Sequence, residues 1–139
     1  MSGGMGITLP PGGVLLGLGC DLVEVERIHG VLVRHADRFL KRTFTDEEQA
    51  YCSGLKHPHK HYAARWAAKE AVSKAFSTGI GGHLEWTSIS VYHGSRHEPL
   101  VRLDAKAQAL LESLGGTGVL LSLSHTETHA MAVAALVRS

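Results

Sequence analysis

An α+β fold, with an antiparallel sheet packed with one long helix, is what this sequence predicts, and three observations predict it. Apolar runs of strand length open and close the chain: VLLGLGCDLV at 14–23, then VLLSLSH and AMAVAALV near the end. Stretches between them carry helical periodicity bounded by capping residues. The last two runs are separated by only a few polar residues, which is the spacing of a hairpin.

Taken in order, a strand runs from Val14 to about Val23 and leads into a helix from about Glu24 to Phe39. A short helix is opened by the capping box Thr45-Asp46-Glu47-Glu48 and closed at Gly54. The long helix covers about His59 to Ser77 and is ended by Gly79. LEWTSISVY alternates as a strand, PLVRL pairs with it as a short edge, and DAKAQALLESL is a helix entered by Asp104 and stopped by Gly115. The final hairpin turns around Thr126, Glu127 and Thr128. Residues 1–13, MSGGMGITLPPGG, have neither the basic start nor the apolar run of a signal peptide and read as a loose tail. With no linker or repeat in the remainder, residues 14–139 read as a single domain.

The 139 residues suffice for one buried core, and 44% hydrophobic content excludes a disordered chain. A formal net charge of +1 provides no global pull toward nucleic acid or a membrane surface, and no stretch approaches the ~18 apolar residues of a membrane span. Cys20 and Cys52 have no framework spacing, which suits a reducing cytosol, and neither reads as a nucleophile.

Within the long helix, AARWAAKEAVSKAF (63–76) has an apolar arc of Ala64, Ala68, Ala71, Val72 and Ala75. Arg65, Lys69, Glu70, Ser73 and Lys74 spread over the remainder, so close packing is expected on one side and a polar cleft on the other.

Three places carry polar residues that such a scaffold does not itself require. Asp21 shares a strand face with Gly17 and Gly19, so another group can approach the backbone beside a carboxylate, although a strand-end Asp also caps helices. Glu70 stands four residues before Lys74, which alone describes a surface ion pair. His125 ends a strand beside Leu121 and Leu123, where a hydrogen-bonded core histidine is the plainer reading. Together they read differently. Arg65, Lys69 and Lys74 suit phosphates, and the loop Ser77-Thr78-Gly79-Ile80-Gly81-Gly82 can bring the amides of Gly79 and Gly81 near the same helix end. Two carboxylates among cations describe a site for Mg²⁺ and a polyphosphate, since Mg²⁺ commonly takes one or two carboxylates plus substrate phosphates.

GLGCDLVEVERI, then RFLKRTFTDEEQAYC, RWAAKEAVSKAFSTGIGG and LSHTETHAMAVAAL, in this order, resemble the holo-acyl-carrier-protein synthases, the small bacterial class of 4′-phosphopantetheinyl transferases. The likeness runs from about Leu16 to Val137. It implies transfer of 4′-phosphopantetheine from coenzyme A to a serine of apo acyl carrier protein, releasing adenosine 3′,5′-bisphosphate, in cytoplasmic fatty acid or related biosynthesis. By resemblance Asp21 and Glu70 are the magnesium ligands, with Mn²⁺ able to substitute. Lys74 matches the lysine at the pyrophosphate, Arg65 an arginine near the nucleotide phosphates, and His125 the histidine near the coenzyme site. The serine proton falls to Glu70 or to a magnesium-bound water beside it. Two departures stand out: Thr126 follows His125 where some members have aspartate, and Cys20 replaces a branched apolar residue. The resemblance also implies homotrimers with an active site in each cleft between protomers.

Arg27, Arg34 and Arg38 fall within about 40° of one another on an ideal helix, with Val31 among them. A basic stripe with an apolar centre suits an acidic carrier protein; taken without the resemblance it equally describes a solvated face. His57, His59 and His61 read as an exposed linker without a function. The rival readings are a non-catalytic module binding coenzyme A or an acyl carrier, and a magnesium-dependent phosphatase or nucleotide hydrolase. The enzyme requires Asp21 and Glu70; the binding module requires neither.

Overall fold

The computed structural model describes residues 6–139, so part of the expected N-terminal tail, residues 1–5, lies outside the described residues. The chain forms β1 (Val14–Glu24), α1 (Val25–Thr43), α2 (Asp46–Ser53), α3 (Pro58–Ala75), a 3₁₀ turn (Trp86–Ser88), β2 (Ile89–His93), β3 (Pro99–Leu103), α4 (Ala105–Ser113), β4 (Gly118–His125) and β5 (His129–Arg138). Both sheets are antiparallel: a three-stranded sheet ordered β1-β5-β4 and a separate β2-β3 pair.

Small residues decide how the layers meet. On β1 a Cβ built on Gly17 or Gly19 would collide with the carbonyl oxygens of Ala75 and Ala71, so strand and helix backbones touch without side chains between them. Ala130, Ala132 and Ala134 of β5 are buried on the same side of the sheet. This close approach presses Asp21, two residues beyond Gly19, against α3.

The polar arc expected of α3 is corrected by its packing. Arg65, Lys69 and Ser73 are buried along with the alanines, and between Tyr62 and Phe76 only Trp66, Glu70 and Lys74, spaced four apart, remain open. Lys69 sits in the core, paired with Glu48 of α2 at 2.7 Å. It also donates to the carbonyls of Trp86, at 2.9 Å, and Ile89. Glu48 in turn accepts from the amides of Thr45 at 3.0 Å and Val91 at 2.9 Å. Sequence reading saw Glu48 only as the end of a capping box, because its ion-pair partner lies on another helix.

Two boundaries also differ. The strand expected from Leu84 begins at Ile89, since Glu85 and Ser88 cap a 3₁₀ turn whose Trp86 carbonyl is held by Lys69. The first helix continues past Phe39 to Thr43, because Phe39 and Thr43 are both buried, and His35 (φ −139°, ψ 38°) kinks it. Cys20 and Cys52 are free thiols; burial pushes Cys52 up to about 12, which leaves it inert.

Candidate active site

The contact of β1 with α3 assembles one group of the expected residues. Lys74 Nζ donates to Asp21 Oδ1 at 3.0 Å and to the Cys20 carbonyl at 3.1 Å. That hydrogen bond holds the Lys74 ammonium above the ordinary lysine range. The second Asp21 oxygen, Oδ2, is buried and has no hydrogen-bond partner among the described residues. Burial raises the Glu70 carboxyl above the usual carboxylate range, and the negative charge of Asp21 adds to the effect, against Lys74 and Arg27.

Even with the Lys74 ammonium on Asp21 Oδ1, one carboxylate oxygen remains unpartnered beside a carboxylate disfavoured in its ionised form, which describes a place that can take further positive charge. A hard cation with oxygen ligands supplies it, and the residues present fit Mg²⁺. No group of three His, Cys, Asp or Glu gathers for a metal among the described residues. Magnesium does not need one, since it completes its shell with water and substrate phosphate oxygens.

Arg65 belongs to a second group. It precedes Lys74 by nine residues, about two and a half helical turns at about 100° per residue, so the two point to opposite sides of α3. Arg65 is 1% exposed, its Nη2 bonds His93 Nε2 at 2.9 Å, and its guanidinium lies 4.4 Å over the Tyr51 ring. It forms the floor of a cavity of about 150 Å³ lined by Tyr51, His61, His93, His97 and His125. The expected pair Arg65 and His125 therefore meets around one cavity, away from the carboxylates. Nothing in the spacing of Tyr51, His93 and His97 ties their segments to Arg65, and His61, expected in an exposed linker, lies instead on α3 and lines this cavity.

The remaining expectations divide. Gly79 (φ 67°) and Gly81 (φ 116°) need glycine for their backbone conformation, not for space. Their amides are already bonded, Gly79 to the Ser73 carbonyl at 3.2 Å and Gly81 to that of Leu84 at 2.7 Å. The arginine stripe is interrupted at the His35 kink. Arg27 lies 5.3 Å over the Trp66 ring at the Glu70 side, while Val31 and Arg38 border a cavity with His35, Phe39 and Arg42. Arg34 is exposed. The histidines of the expected linker also separate: His59 stacks on His29 at 4.4 Å, whereas His61 turns into the Arg65 cavity. Thr126 keeps a turn-capping role without a carboxylate, its Oγ1 accepting from the amides of Thr128 at 3.3 Å and His129 at 3.1 Å.

A family model for the 4′-phosphopantetheinyl transferase superfamily matches residues 17–134, and the chain belongs to this family. Among relatives it is similar to the holo-[acyl-carrier-protein] synthase of Chlamydia trachomatis serovar L2, with 45% identity over 86% of this chain and 98% of that protein. Its fold is similar to the crystal structure of the holo-[acyl-carrier-protein] synthase of Neisseria meningitidis, with TM-score 0.83 and 30% identity over 88% of this chain and 98% of that one. It is likewise similar to a holo-(acyl-carrier-protein) synthase of Bacillus anthracis str. Ames in complex with CoA (3′,5′-ADP), with TM-score 0.75 and 33% identity over 90% and 98% of the two chains.

Proposed function

We propose that the protein transfers 4′-phosphopantetheine from coenzyme A to a serine hydroxyl of apo acyl carrier protein, giving holo carrier protein and adenosine 3′,5′-bisphosphate. The observation that carries this reading is the cluster of Asp21, Glu70 and Lys74, with Asp21 Oδ2 buried and unpartnered, in a chain of this family. In the reaction the serine oxygen forms a bond to the pantetheine-bearing phosphorus as the bond to the nucleotide phosphate breaks. Asp21 and Glu70 hold Mg²⁺, for which Mn²⁺ can substitute. When bound, the ion neutralises charge on the pyrophosphate and on the leaving phosphate. Lys74, anchored by Asp21, presents its ammonium to the same phosphates. Glu70, or a water beside it, takes the serine proton.

Arg65 and His125 take the nucleotide end of coenzyme A. Because Arg65 and Lys74 face opposite sides of α3, one coenzyme A reaches both kinds of group only across two copies of the chain. The assembly we propose is a homotrimer with a site in each cleft between protomers. The outer face of the three-stranded sheet supports it: Leu18, Leu22 and Met131 are 61%, 65% and 43% exposed there. Arg27, Val31, Arg34 and Arg38 receive the acidic carrier, a cytoplasmic carrier of fatty acid or polyketide synthesis. No helix among the described residues is long and apolar enough to cross a membrane.

The test incubates the protein with apo acyl carrier protein, coenzyme A and Mg²⁺. A gain of one phosphopantetheine mass on the carrier is expected; coenzyme A binding without any gain would leave the non-catalytic module as the reading.

A further inference from the structure

Arg27 lies in the first turn of α1, is exposed, and forms no ion pair among the described residues. Its guanidinium carbon is 5.3 Å from the centre of the Trp66 ring, and Trp66 stacks on Trp86 with centroids 5.5 Å apart and planes 28° from parallel. Trp66 stands one helical turn before Glu70 on the open stripe of α3, and both indoles are half-buried.

Trp86 comes from a different segment, the 3₁₀ turn Trp86–Ser88, with the wholly buried Leu84 and Ile89 on either side. Ser88 Oγ accepts from the Glu85 amide at 3.2 Å, and the Trp86 carbonyl accepts from Lys69 at 2.9 Å. Lys69 is itself held by Glu48 at 2.7 Å inside the core. The turn that presents Trp86 is therefore fastened to the interior, and Trp86 packs the Trp66 ring in place from outside α3.

A guanidinium over an aromatic face is oriented by the ring's quadrupole, while its N–H donors, which lie in its own plane, stay free for a carboxylate. An arginine without such a seat has to be ordered at each encounter, at the expense of side-chain entropy. With no carboxylate of this chain on it, the seated Arg27 is a donor fork held ready for an acid from outside.

We propose that Trp66 and Trp86 are positioning residues for carrier recognition: acting through Arg27, they preorganise its guanidinium for a carboxylate of the acidic carrier. The inference rests on the proposed docking of the carrier on α1. Its consequence is that two residues with no charge set how well the carrier is used.

The test compares kcat/KM for apo acyl carrier protein, the affinity for coenzyme A and the intrinsic fluorescence across a short series of variants of the full chain. Trp66→Leu should lower kcat/KM for the carrier roughly two- to fivefold, the range of an exposed cation–π contact, with coenzyme A affinity unchanged. Trp66→Phe should restore most of the loss. In an Arg27→Ala background, Trp66→Leu should have no further effect, because the contact it removes is already gone. Arg27→Lys keeps the charge but not the planar fork, and should behave as Trp66→Leu does. Trp66 and Trp86 are the two tryptophans of the chain, so emission reads the seat directly. Arg27→Ala should shift that emission, and apo carrier should shift it in the wild type but not in Arg27→Ala; this arm stands even where Trp66→Leu does not fold. A full effect of Trp66→Leu that persists in the Arg27→Ala background, or emission indifferent to Arg27→Ala, overturns the inference and leaves the transferase reading intact. Carrier use unchanged by Arg27→Ala removes the docking reading itself, and this inference with it.

Discussion

Lys74 bonds one oxygen of Asp21 at 3.0 Å while the other oxygen of that carboxylate is buried without a partner. The lysine holds one oxygen of the carboxylate and leaves the other as an unused acceptor, and the negative charge of Asp21 also acts on Glu70, the other proposed metal ligand. Asp21→Ala and Glu70→Ala should each lower transfer by roughly 10²–10³-fold or more with the far-UV circular dichroism unchanged. Excess chelator should abolish activity and Mn²⁺ should restore it; normal turnover in either variant at saturating coenzyme A would refute the metal assignment.

Glu70 makes stability depend on pH in the metal-free protein. Its raised pKa means that the ionised form is disfavoured in the folded state and not in the unfolded one. Above the raised value the native state carries that penalty. As pH falls toward the ordinary carboxylate range, Glu70 takes up its proton and the penalty disappears. Glu70→Gln should therefore have a higher Tm than wild type at pH 8 in chelator, and the two melting curves should converge near pH 4.

Lys69 is the opposite case, a charge wholly inside the core. Burial pushes its pKa down while Glu48 at 2.7 Å pushes it up. Lys69→Met leaves the Glu48 carboxylate buried and unpaired, which should cost about 3–5 kcal/mol in chemical unfolding. The double change with Glu48→Met should recover much of the loss; equal destabilisation of single and double variants would show that the lysine acts only through the two carbonyls it binds.

Docking of the carrier is tested best at Arg34, which is exposed and lies apart from Glu70. Arg34→Glu should lower kcat/KM for the carrier roughly tenfold at low salt, with coenzyme A affinity unchanged. Added salt should bring wild type and variant together. Unaltered use of the carrier would make this face of α1 a solvated surface. Arg27→Glu should also disturb turnover itself, since Arg27 lies over Trp66 and its charge acts on Glu70.

Assembly is tested on the outer sheet face. Leu22→Glu places a charge where 65% of a leucine is exposed in the single chain, and sedimentation should show the trimer replaced by monomer with loss of transfer. A fully active Leu22→Glu monomer would refute a site shared between protomers.

The sequence by itself determined the α+β class, most strand and helix positions, the caps at Thr45 and Asp104, and the family to which the chain belongs. These are local or linear properties: side-chain periodicity, turn chemistry and a long ordered motif are all written along the chain. It also marked Asp21 as a candidate, because Gly17 and Gly19 announced a close approach beside it, whereas Glu70 and Lys74 read alone as an ordinary ion pair and stood out only together with Asp21 and the neighbouring cations. The tertiary structure decided which faces those residues show. Helical arithmetic put Arg65, Lys69 and Ser73 on a polar arc, yet α2 and β2 cover that arc, and a buried Lys69 became tolerable only through Glu48 from another helix. The same holds for the Arg65 cavity, whose imidazoles come from four segments. Whether a charge faces solvent, a ligand or a buried partner depends on what packs against it, and spacing along one helix carries no record of that.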